Sequence, residues 1–503
     1  MSTPSVASPP FLKLQVWLRR LLLLGPLWYV LAASYVVVER FSYRFELEWM
    51  EGGSLIQVLR LLDGKSLYVP PSLSYIPYIY PPLYYYLAAL AAKLTGIHWF
   101  TPLRLVSIAA TLGCLFLIWR IVSRLTGSRY WGLIAAGLFA ASFRIGGAWF
   151  DIARVDMLSI FLFLAGTYAL IRRGRLSAVL AGELFALSFY TKQTVLIPVL
   201  AILAYLLLFR DWRTAVYFGA AFAAISISIF FFENIRSSGW YSYYVFHLPS
   251  LHRLPQLAWL FLFAEGARLL ASMPAALVLG MLPFLTAPRQ QVRTDSGLFT
   301  LIVAATIAIS VVGNAQPGGY ENAYLPALAT IPILAGLGGH WLESQPGLKN
   351  RGAVVTILYA VLFVQFAALF YSVPTQIPTS GDARAGEELV ASIAATPGEV
   401  LIPFHGYLAL LAGKNPSAHQ ITLAEIQGDF GRPDEVAAAS VEAEIQAALR
   451  SQRYSRILLD RLGYIWEDVP LYYQGTQIVY ADATDFYPVT GAKGRPNLDY
   501  TPK

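Results

Sequence analysis

The chain contains little charge and almost no cysteine. Among its 503 residues there is one cysteine, Cys114, and only 13% are charged, whereas 56% are hydrophobic. A single cysteine within an apolar run excludes a disulfide framework and a cysteine-rich metal site. The apolar composition excludes a soluble globular enzyme. The net charge of +7 requires no nucleic-acid partner, because basic residues gather in the short cytoplasmic loops of polytopic proteins.

Apolar runs of membrane-spanning length recur along the first three quarters of the chain. About eleven runs approach the roughly 20 residues that a spanning helix needs. They are Leu14–Val38, Leu103–Ile121, Tyr130–Trp149, Met157–Ile171, Leu176–Tyr190, Val195–Phe209, Ala215–Phe232, Ala264–Leu285, Leu298–Val312, Ala323–Leu337 and Ala353–Tyr371. No cleavage pattern follows the first run, so we expect a retained anchor and not a signal peptide. The pattern predicts a multi-pass α-helical protein of a plasma or inner membrane.

Basic residues flank alternate turns and predict the orientation. If the N-terminus is cytoplasmic and the helices alternate, the basic turns all lie inside, as the positive-inside rule requires. These turns include Arg172–Arg175, Arg210 with Arg213, Arg289 with Arg293, and Lys349 with Arg351. The opposite turns contain Glu46–Asp63, Asp151–Asp156, Lys192–Gln193, Asn234–Leu254 and Asn314–Asn322. The polar residues suited to chemistry therefore share the outer face.

One apolar stretch is too short to span the membrane. It begins at Tyr80-Pro81-Pro82 and ends near Gly96, and some 14 helical residues rise only about 21 Å. We expect an interfacial helix, whose tyrosines suit the headgroup region and whose prolines suit a helix start. It would lie within a long first outer loop, residues 39–102, of a membrane domain that extends over residues 1–373.

After Tyr371 the composition becomes mixed. Residues 374–503 are enough for one small α/β domain, which the helix count places outside the cytoplasm. A helix is predicted at Asp434–Leu449 and strands at Glu399–Phe404, Arg456–Leu459 and Gln477–Tyr480. The stretch from Ala492 is predicted to be a loose tail.

The most informative polar stretch follows the first apolar run. Residues 46–52, Glu-Leu-Glu-Trp-Met-Glu-Gly, form what we call the acidic segment. Carboxylates are costly near a bilayer and usually mark a functional site. Glu48 and Glu51 would share one face of a helix. An ordinary solvated loop helix is the alternative.

The order of several short motifs resembles the GT-C superfamily of polytopic glycosyltransferases, and is most similar to its bacterial branch of aminoarabinose and protein mannosyl transferases. The motifs are the acidic segment, Gly64–Tyr68, the Tyr-Pro-Pro-Leu-Tyr helix start, Ala153-Arg154-Val155-Asp156-Met157, Thr191-Lys192-Gln193, Gly318–Asn322 and the small outer domain. Members of this superfamily usually have an aspartate in the first outer loop as the catalytic base. Glutamates occupy the matching stretch here, so Glu48, Glu51 and also Glu46 remain candidates.

The resemblance implies transfer of a sugar from a polyprenyl-phosphate donor to a glycan, lipid or protein acceptor on the outer face. Such a reaction needs a carboxylate base, cations for the phosphate and an apolar groove for the isoprenoid. The catalytic candidates are Glu48, Glu51, Asp151 and Asp156, and the phosphate candidates are Lys192, Arg154 and Arg253. The substrate-binding candidates are Tyr80, Gln193, His247, Tyr320, Glu321 and Asn322, and His405 is a further candidate for acceptor contact.

Two alternatives remain from the sequence. A polysaccharide polymerase or ligase would also use outer loops and a lipid-linked substrate. A lipid-linked glycan transporter would show repeat symmetry and charges near the middle of the membrane. No residue cluster has a convincing metal-ligand spacing, although a divalent cation held by Glu48 and an aspartate is an open alternative.

Overall fold

The structure is a computed structural model that describes residues 10–286, 295–345 and 351–503. Arg289, Arg293 and Lys349 of the predicted basic turns lie outside the described residues. The helices of eight or more residues are α1 Pro10–Leu22, α2 Leu24–Phe41, α3 Glu51–Leu62, α4 Leu83–Thr95, α5 Phe100–Thr126, α6 Arg129–Ala141, α7 Asp156–Ile171, α8 Arg175–Phe189, α9 Leu196–Phe209, α10 Trp212–Arg236, α11 Ala258–Ser272, α12 Pro274–Thr286, α13 Asp295–Ala315, α14 Leu325–Ser344, α15 Arg351–Ala368, α16 Ser380–Ala395, α17 Gln420–Gln427 and α18 Glu435–Arg450. The strands are β1 Val400–Leu401, β2 Arg456–Leu459, β3 Tyr473–Gln477 and β4 Leu498–Pro502.

The apolar helices pack into one bundle. Helix α7 packs on α5 and α8, α8 also packs on α10, and α14 packs on α6, α12 and α13. Helices α4 and α5 each end at a glycine in the left-handed conformation, Gly96 (φ 69°) and Gly127 (φ 72°), which glycine adopts without steric cost. The short helix α4 lies where the interfacial helix is predicted.

Five helices in the described part of the chain are long and apolar enough to cross a membrane. They are Leu14–Phe41, Phe100–Thr126, Trp212–Arg236, Gly297–Ala315 and Glu321–Ser344. Ala258–Ser272 and Pro274–Pro283 meet that test together but are bent by 85°, and Asp156–Ile171, Gln193–Phe209 and Gly352–Ala368 are shorter apolar helices. The chain is therefore a multi-pass helical membrane protein, and the number of about eleven spans stays a prediction.

The predicted span Tyr130–Trp149 is wrong in its second half. Helix α6 ends at Ala141, and residues 142–155 form successive turns that lead into α7. Gly147 and Ala148 both have positive φ, 80° and 55°, which no helix accommodates. The turns place the segment that precedes Asp156 beside the first loop.

Residues 380–502 form an α/β unit around a four-stranded sheet in the order β1-β2-β4-β3. Strands β1 and β2 are parallel, whereas β4 is antiparallel to both β2 and β3. Strand β2 matches its prediction, but the third strand lies at Tyr473–Gln477 and not at Gln477–Tyr480. The predicted loose tail is also wrong, because β4 lies inside the sheet, where Leu498–Pro502 pairs on both sides.

Candidate functional site

Glu48 forms a buried ion pair with Arg154. Its Oε2 lies 3.0 Å from Nη1 of Arg154, and the two side chains are 2% and 4% exposed. Arg154 also donates from Nη2 to the Tyr80 hydroxyl at 3.2 Å, and its guanidinium lies over the rings of Tyr80 and Trp149. The aromatic rings hold the arginine in place, and the carboxylate is buried.

The environment of Glu48 favours a carboxylate that exchanges protons near neutral pH. Burial raises the pKa of Glu48 to about 7, and the charge of Arg154 opposes that rise. A group with its pKa near the operating pH is suited to general base catalysis. Perturbed carboxylates of this kind also cluster at functional sites.

A second ion pair lies at the start of α7. Nζ of Lys192 lies 2.6 Å from Oδ1 of Asp156. Asn322 donates to the same oxygen at 3.1 Å, and the Trp149 indole donates to Oδ2 at 3.0 Å. Burial opposes the charged form of Lys192, but the charge of Asp156 raises the pKa of the lysine above its usual value. Lys192 is therefore a fixed cation, and its side chain remains 17% exposed.

The Asp156–Lys192 pair lies at the edge of a small apolar cavity. The cavity has a volume of 20 Å³ and is bounded by residues from α7, α9, α13 and α14. Its apolar lining includes Ile160, Phe163, Val195, Pro198 and Ile309. A cation at the rim of an apolar space between helices is the arrangement that a lipid phosphate would need.

Glu51 is held by the protein on both carboxylate oxygens. Arg104 donates to it from Nε at 3.2 Å and from Nη2 at 2.8 Å, and the backbone amides of Leu47 and Ala153 donate at 2.7 Å each. Both side chains of the Glu51–Arg104 pair are 0% exposed. This pair joins the first loop to the 142–155 turns.

Asp151 has a similar environment. It pairs with Arg40 at 3.0 Å, and both side chains are 0% exposed. Burial raises the pKa of Asp151, whereas Arg40 lowers it. Arg40 also donates to the backbone carbonyls of Gln376 and Ala148, so this pair connects the end of α2 to two other segments.

Of the predicted substrate-binding residues, two contact the ion pairs and a third packs on Trp149 beside them. Tyr80 contacts Arg154 and Asn322 contacts Asp156, as described above. Tyr320 packs its ring on Trp149, with 5.6 Å between ring centroids. Gln193 lies next to Lys192 in sequence but donates to the carbonyls of Ile79 and Val245.

Three other predicted residues have partners away from these pairs. Glu321 pairs with Arg268 at 2.9 Å, and His247 pairs with Asp434 at 3.1 Å. Arg253 is exposed, and its backbone amide donates to the Phe430 carbonyl. The structure therefore provides no contact between these residues and the Glu48 or Asp156 carboxylates.

The carboxylates that would bind a divalent cation already pair with other side chains. In residues 10–286, 295–345 and 351–503, no group of three or more His, Cys, Asp and Glu side chains is arranged to hold a metal ion. Glu48 and Asp156 each have a cationic side chain as partner. The residues present do not fit a cation shared by Glu48 and an aspartate.

The α/β unit covers the acidic segment, which the sequence did not indicate. The Thr490 amide donates to the Leu47 carbonyl at 3.1 Å, and its hydroxyl donates to the Gly147 carbonyl. A Cβ at Gly491 would lie 2.6 Å from Cγ of Glu48, so only glycine allows this approach. Trp149 was also missed, because it lay inside a predicted span.

Comparisons with known proteins agree with this architecture. The profile of the family described as dolichyl-phosphate-mannose-protein mannosyltransferase matches residues 80–233. The structure of ArnT from Cupriavidus metallidurans in the apo state aligns over 94% of this chain and 97% of its own, with a TM-score of 0.56 and 14% identity. This chain has the GT-C fold.

Other GT-C structures are similar as well. ArnT bound to undecaprenyl phosphate aligns with the same coverage, identity and TM-score as the apo form. The Archaeoglobus fulgidus oligosaccharyltransferase, tethered with an acceptor peptide, aligns over 86% of this chain and 68% of its own, with a TM-score of 0.51 and 12% identity. No functionally curated protein matches by sequence. The predicted resemblance to GT-C membrane glycosyltransferases is confirmed.

Proposed function

We propose that this chain is a glycosyltransferase that moves a sugar from a polyprenyl-phosphate donor to an acceptor hydroxyl outside the cytoplasm. The observation that carries the proposal is a buried carboxylate, Glu48, whose pKa lies near 7 and which pairs with Arg154. The Arg154 charge also acts on Asp156, the partner of Lys192. We therefore treat the candidate base, the two cations and the apolar cavity as parts of one site.

The donor phosphate would bind Lys192 and Arg154. Lys192 is the most exposed of the four paired side chains and lies at the rim of the cavity. Two fixed cations stabilise the negative charge that develops on a leaving phosphate. The exposed Arg253 has no comparable place, so we propose no role for it in binding the donor.

Glu48 is the better candidate for the base. The oxygens of Glu51 accept four hydrogen bonds from Arg104 and two backbone amides. These four donors occupy the acceptor positions of both carboxylate oxygens, so no position is left for a substrate hydroxyl. Glu48 has one side-chain partner, Arg154, and a raised pKa.

The reaction would be a single displacement. Glu48 takes the proton of the acceptor hydroxyl while the acceptor oxygen forms a bond to the anomeric carbon. The bond from that carbon to the phosphate oxygen breaks, its electron pair passes to the phosphate, and polyprenyl phosphate leaves. Attack opposite the leaving phosphate inverts the anomeric configuration.

The comparisons support the class of donor. A structure with the same fold has been determined with undecaprenyl phosphate bound, and the matching family profile is that of a dolichyl-phosphate-mannose transferase. The acceptor class stays open among glycan, lipid and protein. The four charges lie at helix ends and not along a path through the bundle, which favours an enzyme over a transporter.

Binding of undecaprenyl phosphate tests the phosphate site without knowledge of the sugar. Replacing Lys192 with alanine removes a charge-assisted contact of about 1.5–3 kcal/mol, so the dissociation constant should rise about 10- to 150-fold. Lys192→Arg should retain part of the affinity, since the charge remains while the geometry changes. Titration of each purified variant with undecaprenyl phosphate in detergent measures the two dissociation constants.

Lys65→Ala is the matched control, because Lys65 forms an exposed pair with Asp63 away from the cavity. Its affinity for undecaprenyl phosphate should equal that of the wild type. Unchanged affinity in Lys192→Ala would remove Lys192 from the donor site and leave Arg154 as its cation.

A further inference from the structure

A buried histidine joins the α/β unit to the acidic segment. Nδ1 of His405 lies 2.7 Å from Oε2 of Glu46, and Nε2 lies 3.2 Å from the Asp460 carboxylate. The His405 side chain is 3% exposed. Asp460 directly follows β2 and His405 follows β1, so both lie beyond the carboxyl ends of the two parallel strands.

Glu46 connects His405 to the rest of the acidic segment. Its second oxygen, Oε1, accepts from the Gly52 amide at 2.9 Å, which closes the segment into a loop around Glu48. The Tyr407 hydroxyl also lies 3.4 Å from the Glu46 amide. Both ends of the loop are therefore fixed through groups that the α/β unit holds.

A second histidine of the α/β unit holds the middle of the same loop. Nε2 of His419 lies 3.1 Å from the carbonyl oxygen of Trp49, and the two rings lie 5.0 Å apart. Burial lowers the pKa of His419 to about 3, so its imidazole is neutral and its Nε2 can donate. Trp49 directly follows Glu48, which brings the fixed backbone next to the proposed base.

The two carboxylates beside His405 favour its charged form. Burial alone would lower its pKa, but the charges of Asp460 and Glu46 raise it to about 10. Both ring nitrogens then carry protons, so His405 donates to one carboxylate on each side. Hydrogen bonds to charged groups are the stronger ones in proteins.

We propose that His405 is a positioning residue that sets the place of Glu48 by fixing Glu46 to Asp460. The α/β unit is then part of the catalytic unit and not only a neighbouring domain. The catalytic consequence rests on the proposed role of Glu48, whereas the fixing of the acidic segment does not. A displacement of about 1 Å at a reacting group costs about 10²-fold in rate.

Two measurements on purified full-length protein test the proposal. In His405→Ala, kcat for release of undecaprenyl phosphate from the donor should fall about 10²-fold, while the dissociation constant for undecaprenyl phosphate stays within about threefold of wild type. Hydrogen exchange of the peptide that covers residues 46–52 should be faster. His405→Gln, which keeps one amide donor, should restore part of kcat and of the protection.

The matched control is His252→Ala. His252 also pairs with a carboxylate of the α/β unit, Glu425, at 2.5 Å, but neither residue contacts the acidic segment in the described structure. This variant should leave both kcat and the exchange of residues 46–52 unchanged. If His405→Ala and His405→Gln behave like His252→Ala, the proposal is overturned.

A double-mutant cycle tests whether His405 acts through Glu46. If His405 acts through Glu46, then Glu46→Gln combined with His405→Ala should reduce kcat no further than the more damaging single variant. Additive losses would contradict action through Glu46. If the wild type releases no undecaprenyl phosphate from any donor while exchange of residues 46–52 still rises in His405→Ala, the proposed function fails and the fixing of the segment stands.

Discussion

At the scale of single residues, the site contains two ion pairs with different properties. Asp156 accepts hydrogen bonds from Lys192, Asn322 and Trp149, which keeps it ionised as a holder of the lysine. Glu48 is buried beside one arginine and has a raised pKa. Carboxylates whose environments differ in this way usually have different roles.

The rate should depend on pH through Glu48. A base acts as the carboxylate, so kcat/KM should fall about tenfold per unit below pH 7 and level off above it. Arg154 lowers the pKa of Glu48, so Arg154→Gln should move the midpoint to higher pH. Arg44→Gln, which breaks an exposed pair with Glu387, should leave the midpoint in place. A midpoint that moves downward or stays fixed in Arg154→Gln would contradict this role.

At the scale of elements, the short helices around the cavity matter most. Helix α7 begins at Asp156, and Lys192 precedes the short 3-10 turn Gln193–Val195 that leads into α9. Both helices continue with apolar residues that line the cavity. One end of each helix can thus meet the phosphate while the rest meets the first part of the isoprenoid. The present cavity of 20 Å³ holds an isoprenyl unit only after the side chains move apart.

A bulky residue at the rim should weaken binding of a long carrier. Thr194 lines the cavity and is exposed, so Thr194→Trp can block it without disturbing the core. Losing the burial of two methylene groups, about 0.8 kcal/mol each, would reduce affinity for undecaprenyl phosphate about tenfold relative to that for inorganic phosphate, which has no isoprenoid. Ile197→Trp, at a site 57% exposed and outside the cavity lining, is the control. An equal affinity ratio in both variants would exclude this cavity as the entry for the lipid.

The sequence predicts the helices of the bundle more completely than the strands of the α/β unit. Apolar runs locate helices because burial in lipid requires length and composition alone. Helix α6 was predicted too long because residues 142–149 are mostly apolar in composition, although Gly147 and Ala148 have positive φ and form a turn. Strand β4 was missed because its stability depends on pairing with β2 and β3, which no local pattern records.

The residues of the candidate site could also be predicted only in part. Glu48, Arg154, Asp156 and Lys192 could be predicted together because each lies at a helix end on the side opposite the basic turns. The difference in environment between Glu48 and Glu51 could not be predicted from spacing. It depends on Arg104, which lies within an apolar helix and reaches Glu51 across more than fifty residues of sequence.

At the scale of the whole molecule, the contacts of the α/β unit fix it on the same side as the first loop. The link between His405 and Glu46 and the link between Thr490 and Leu47 both join these parts. Their side of the membrane follows from the basic turns and remains a prediction. Because Cys114 is buried, labelling of single introduced cysteines can show on which side of the membrane each part of the chain lies.

Labelling of intact cells with a membrane-impermeant maleimide should separate the two faces. Asp63→Cys and Val436→Cys place thiols at exposed positions of the first loop and the α/β unit, and both should react. Leu176→Cys, at an exposed position after the Arg172–Arg175 turn, should react only after the cells are opened. Reaction of Leu176→Cys but not of Val436→Cys would reverse the orientation and place the site in the cytoplasm.

Turnover by Glu48→Gln is the most direct test of the central claim. The purified variant should bind undecaprenyl phosphate within about threefold of wild type, because the phosphate meets Lys192 and not the base. Its release of undecaprenyl phosphate from a panel of undecaprenyl-phosphate sugars, with a membrane extract as acceptor source, should be slower by about 10²- to 10⁴-fold. Glu51→Gln, by contrast, should mainly lose stability, by about 3–5 kcal/mol. Release at the wild-type rate by folded Glu48→Gln would contradict the account.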